Sequence, residues 1–100
     1  MNDAITAIAK VYPKPGKKDD LRALLTKMAA SVRKNEPGCL AYRMHEPQGG
    51  GDFFVCYELY GSKEAFDFHR AAPHLTEFRA QMKELIAKPN EAEFYTPITE

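Results

Sequence analysis

The sequence predicts an α+β domain in which four antiparallel strands carry helices on one face. Three observations predict it. Apolar spacing switches between a period of two and a period near 3.6 in the order strand, helix, strand, strand, helix, strand. The run Gln48-Gly49-Gly50-Gly51-Asp52 separates two apolar stretches, as a hairpin turn does. The chain is 100 residues long, which suits one core and one domain spanning 1–100.

Residues 5–12 read as the first strand, with Ile5, Ala7, Ala9 and Val11 on one face. Pro13, Pro15 and Gly16 stop it. A helix is expected from about Lys17 to Asn35, because Leu21, Leu24, Leu25, Met28 and Val32 form one apolar stripe. Asp19 and Asp20 in its first turn, and Arg33 and Lys34 in its last, complement the helix dipole. Pro37-Gly38 ends it. Residues 39–46 and 53–60 form the expected hairpin. With its turn centred near Gly49 and Gly50, position 43 faces about 56 and position 39 about 60. Cys39 and Cys56 then lie beyond disulfide reach and read as small buried thiols.

Ser62 is placed to cap a short helix to about Ala71. Pro73 suits the first turn of a further helical piece to about Ala87, lined by Leu75, Phe78, Met82, Leu85 and Ile86. Pro89-Asn90 breaks that pattern, and a last strand is expected over about 92–98. The order is the split βαβ, ferredoxin-like one. Both hairpin strands are apolar or aromatic on both faces, so the side away from the helices calls for cover. A second copy of the chain, forming a homodimer through the sheet, is the expected cover.

Composition narrows the function. Fourteen basic and fourteen acidic residues cancel, and no basic stripe with interleaved aromatics is present, so nucleic acid is not an expected partner. No apolar run reaches the roughly 20 residues needed to span a bilayer. Met1-Asn2-Asp3-Ala4 has no basic n-region, and a cytoplasmic location is expected. The cysteines have no metal spacing, and no phosphate loop, nucleophile elbow or dinucleotide fingerprint occurs. Neither a cofactor nor a metal is therefore expected.

What remains is a polar cluster among aromatics over residues 58–79. Glu58, flanked by Tyr57, Leu59 and Tyr60, needs a partner. It is either salt-bridged to Arg43 or serves as a general base or as the orienter of a histidine. His69 shares the inward face of its short helix with Phe66 and Ala65, near a C-terminus that suits a cationic ring. It is either a hydrogen-bonded core residue or part of a site. His74 follows Pro73 at a helix N-terminus, where a neutral ring and spare N–H groups could meet an anion. The pair thus reads as a candidate acid and a candidate base. His45 is expected on the face of Arg43, and both are weaker candidates for a ligand site.

Three signatures carry a family resemblance: Asn35-Glu36-Pro37-Gly38-Cys39 with Tyr42; Phe54 to Glu58 followed by Ser62-Lys63-Glu64-Ala65-Phe66; and His69 with Pro73-His74 and Phe78. With the first strand and the final Phe94-Tyr95 strand, they make the chain resemble the antibiotic biosynthesis monooxygenase family of dimeric α/β-barrel proteins, over nearly its whole length. Its quinol-monooxygenase-like members are the most similar. The resemblance implies a homodimer with an apolar pocket between sheet and helices. It implies oxidation of a small quinol or polyphenol by molecular oxygen, with no metal or flavin. In that reading His69 takes or relays a proton, Glu58 orients it, and His74 or Tyr60 binds the substrate oxygen. Tyr57, Phe66, Phe68 and Met44 would wall the pocket. Many relatives carry tryptophan at the position of Tyr60, whereas this chain has no tryptophan. The haem-degrading branch uses an Asn on the first strand, which is missing here. Two other readings stay open. One is an isomerase of a small hydroxyketone or phosphorylated metabolite, and the other is a non-catalytic ligand-binding dimer.

Overall fold

The computed structural model describes residues 3–99. Strand β1 (Ile5–Val11) leads into helix α1 (Lys18–Asn35). Strands β2 (Cys39–His45) and β3 (Phe54–Tyr60) form the hairpin. Helix α2 (Lys63–Ala71), a 3-10 turn (Pro73–Leu75), helix α3 (Thr76–Leu85) and strand β4 (Glu91–Tyr95) complete the chain. The sheet is antiparallel throughout, in the order β2-β3-β1-β4. This is the ferredoxin-like arrangement. Within one chain the sheet is open, with β2 and β4 as its edges, and it does not close into a barrel.

Local chemistry explains the boundaries. Ser62 accepts a hydrogen bond from the Ala65 amide at 3.1 Å and caps α2. Proline at the head of the 3-10 turn delays regular α-helix until Thr76, three residues later than Pro73 suggests from sequence. Gly50 and Gly51 adopt φ of 83° and 144° at the hairpin tip, a region that side chains avoid. Cys39 faces Tyr60 as expected, but Arg43 faces Tyr57 rather than 56. A bulge at Leu40 takes up the difference. The last strand ends at Tyr95, short of residue 98.

The core lies between the sheet and α1. Leu21, Leu24, Leu25, Met28 and Val32 of α1 pack on Ala9, Val11, Tyr42, Phe54 and Cys56 of the sheet. Burying such side chains contributes about 1.5–3 kcal/mol each. Leu75 and Met82 close one end. Cys39 and Cys56 are both free thiols. No described helix is long and apolar enough to cross a membrane. The reading of Met1 and Asn2 lies outside the described residues.

Candidate active site

Alternation along β3 puts Phe54, Cys56, Glu58 and Tyr60 on the helix side of the sheet, opposite Tyr42 and Met44 of β2. Tyr42, Met44, Cys56 and Glu58, with residues of β1, α1, α2 and α3, line a cavity of about 170 Å³. Its apolar wall is Val11, Leu25, Met28, Met44 and Met82. Its polar wall is Glu58, His69, Arg79 and Asn90, with Tyr42 and Cys56 beside them. An apolar cavity of ~150 Å³ takes up one benzene molecule, so the volume suits a single aromatic ring.

The polar wall is an ordered network. The Tyr60 hydroxyl donates to Glu58 Oε1 at 2.5 Å. Burial first, then the charge of Glu58 and this hydrogen bond, hold the Tyr60 phenol protonated far above its usual range. Burial likewise raises the Tyr42 phenol and the Cys56 thiol, and Glu58 adds to both. Cys39 is pushed up to about 11, chiefly by burial and then by Glu36. None of these four groups supplies an anion near neutrality, so they act as donors and as packing.

His69 Nε2 lies 4.0 Å from Glu58 Oε1. Its other nitrogen, Nδ1, faces Glu36 at 2.9 and 3.1 Å. His74 Nε2 faces the second oxygen of the same carboxylate at 2.7 Å. The rings of Tyr42 and Tyr60 stand 5.4 and 5.2 Å from the His69 ring, centroid to centroid, and fix its plane. Arg79 donates to the carbonyls of His69 and Arg70 at 2.8 and 3.1 Å, which anchors the end of α2 to α3. Among the described residues, no group of three or more His, Cys, Asp or Glu side chains is arranged to hold a metal ion.

Comparison with known proteins gives this site its context. The antibiotic biosynthesis monooxygenase pattern matches residues 4–81. The chain belongs to this family. Among its relatives is "Putative monooxygenase Rv0793" of Mycobacterium tuberculosis, 37% identical over 100 residues, covering 100% of this chain and 97% of that one. The solved structure of Rv0793 superposes with a TM-score of 0.86 at 36% identity, covering 97% of each chain. A Caulobacter crescentus structure, also named for the family, reaches a TM-score of 0.91 over 98% of this chain and 92% of its own. At 24% identity it shows the shared fold alone.

In this family member the residues expected from sequence separate into two sets. Glu58, His69 and Met44 line the cavity, and Tyr60 stands behind Glu58. Phe66 packs edge-on against Tyr60 and Phe94 rather than lining the cavity. Phe68 is half exposed and lies 6.4 Å from the His74 ring. Tyr57, Arg43 and His45 project from the opposite face of the sheet, because Glu58 pairs with Tyr42 and the neighbouring pair points the other way. The expected Arg43–Glu58 salt bridge is therefore not formed. His74 does not reach the cavity as an anion binder, since its ring is engaged with Glu36. The carboxylate within hydrogen-bond distance of His69 is Glu36, which no candidate reading from the sequence included, while Glu58 lies 4.0 Å from the ring.

Proposed function

We propose that this family member is a monooxygenase that oxidises a small electron-rich phenol of the quinol type with molecular oxygen, using neither metal nor flavin. The observation that carries the reading is the convergence of Glu58 and His69 on one cavity whose opposite wall is apolar. A quinol that loses a hydroxyl proton becomes a strong electron donor. The anion passes one electron to dioxygen, and the resulting radicals join in a C–O bond at a ring carbon. Loss of water from that hydroperoxide, which carries off the ring hydrogen and breaks the O–O bond, leaves a carbonyl. Quinol and dioxygen thus give hydroxyquinone and water, with the substrate as the only reductant.

The protein's part is to take the proton, favour the anion and exclude water. Glu58 and His69 take the proton. The Arg79 guanidinium in the cavity wall favours the anion. The methionine and leucine wall suits dioxygen, which is apolar. The cavity volume favours one-ring quinols over fused-ring ones. A phosphorylated isomerase substrate is less well served, because its charge would meet Glu58 and because His74 is spent on Glu36. We propose further that the outer sheet face, where Ile8, Val55, Tyr57 and Leu59 are half-buried and Leu40 is 63% exposed, pairs with a second copy.

The test is turnover of one-ring quinols under ¹⁸O₂. One labelled atom is expected in the product, and Glu58→Gln should lower kcat by roughly 10²–10⁴-fold. Equal product formation without oxygen would favour the isomerase. Binding of the quinol without turnover would favour a ligand-binding dimer.

A further inference from the structure

Glu36 sits at the C-terminal end of α1 and is only 2% exposed. An ionised carboxylate can only accept hydrogen bonds, so burial obliges it to find donors. It finds two. His69 Nδ1 lies at 2.9 Å from one oxygen and His74 Nε2 at 2.7 Å from the other. Each of those ring nitrogens therefore carries a proton. On a neutral His69 ring the lone pair is then on Nε2, the atom that faces Glu58 across 4.0 Å.

Two carboxylates compete for the position of the His69 proton. Were Glu36 absent, the nearest carboxylate would be Glu58. The ring would then lower its energy by carrying hydrogen on Nε2 and pointing it into the cavity. That tautomer has no basic nitrogen on the cavity side. Distance decides the contest, since 2.9 Å is a hydrogen bond and 4.0 Å is not.

We propose that Glu36 is a positioning residue that fixes His69 in the tautomer with Nε2 free to accept a proton from the cavity. His74 is the clamp that holds the Glu36 carboxylate in place. What the base acts on rests on the monooxygenase reading, whereas the tautomer does not. The backbone supports the arrangement. The Glu36 amide donates to Val32 O at 2.9 Å, and its carbonyl accepts from Cys39 at 3.0 Å, so the residue is tied on both sides. On the other partner, Arg79 holds the His69 carbonyl.

The test is the ¹⁵N spectrum of the histidine rings, recorded at a pH high enough that both are neutral. The wild type should show His69 protonated on Nδ1 and His74 on Nε2. Glu36→Leu removes both acceptors at a similar volume. It should move the His69 proton to Nε2 and lower kcat on the order of 10²-fold with KM little changed. Glu36→Asp keeps a carboxylate and should keep the wild-type tautomers. A wild-type His69 protonated on Nε2 would overturn the proposal even if the variants fail to fold. An unchanged His69 tautomer in Glu36→Leu would overturn it too. Expected spectra without any quinol turnover would leave the positioning intact and remove the monooxygenase reading.

Discussion

The two faces of β3 differ by one residue in register and by everything in their chemistry. Toward the helices stand Phe54, Cys56, Glu58 and Tyr60, buried or nearly so. Away from them stand Val55, Tyr57 and Leu59, half-buried with no described helix above them. The inner face tolerates a carboxylate because each polar group there has a partner. Among the described residues, no buried side-chain nitrogen or oxygen lacks one. The outer face of β3 carries two aliphatic side chains and a tyrosine. In a strand whose two faces are both largely apolar, parity assigns a residue to chemistry or to association.

The largest expected effect tests that parity through stability. Phe54→Ala removes a ring that is 2% exposed and should cost about 3–5 kcal/mol in urea unfolding. Tyr57→Ala, three positions away on the other face, should cost far less at high dilution. Its effect should grow with protein concentration, because it weakens the proposed pairing of two copies. Equal losses at every concentration would show that the outer face does not differ from the core in this way.

Next in size is Gly38→Ala, which probes how the site is brought together. A Cβ built at Gly38 would lie 2.6 Å from the Ala65 Cβ. The missing side chain lets α2 approach the end of α1, and so lets His69 reach Glu36. Overpacking there should cost about 1–3 kcal/mol and disturb the His69 ring signals. Adding Ala65→Gly should restore the ring signals, although a helical glycine costs about 1 kcal/mol of its own. Two independent penalties that simply add would argue against a direct contact.

These contrasts also show what was readable from the sequence. The element order was legible because periodicity changes sharply at Pro13, Pro37, Gly49 and Pro73. Glu58 and His69 were legible as polar residues in aromatic surroundings. Glu36 was not. It follows Arg33-Lys34-Asn35, where charge is ordinary at a helix end, and only the chain path after Pro37-Gly38 folds it under α2. Its presence in a family signature was the single available hint. Tyr57, Arg43 and His45 were placed near the site because a hairpin apolar on both faces hides its own parity. His74 read as an anion binder because sequence shows the helix start but not the carboxylate opposite.

A smaller effect is expected from alkali. Cys39 and Cys56, Tyr42 and Tyr60 all have values raised by burial. The unfolded chain releases these protons at lower pH than the folded one. Their contribution is therefore complete below the unfolded value, and stability falls as pH rises above it. For Cys39 the window runs from the ordinary 9.0 to about 11. Urea midpoints measured across that window should decline, and Cys56→Ala should make the decline shallower. A flat profile would mean that the thiols and phenols of the inner face are as solvated as those outside.

The smallest effect sharpens the contrast between a buried carboxylate and an exposed one. Glu46 is bonded at least as well as Glu36. Arg22 meets its two oxygens at 2.8 and 2.9 Å and also reaches Asp19. The guanidinium holds the Glu46 carboxyl below its usual range, so any stability it lends is present at neutral pH and is lost only as the solution is acidified. Yet Glu46 and Arg22 are open to water, where side-chain entropy and screening offset the attraction. Glu46→Gln should leave the urea midpoint at physiological salt within error, with at most a slight loss at low salt. Glu36→Gln, the same change on a buried carboxylate, should be felt at either salt concentration. If the two variants behave alike, hydrogen-bond geometry rather than burial sets what a carboxylate is worth in this fold.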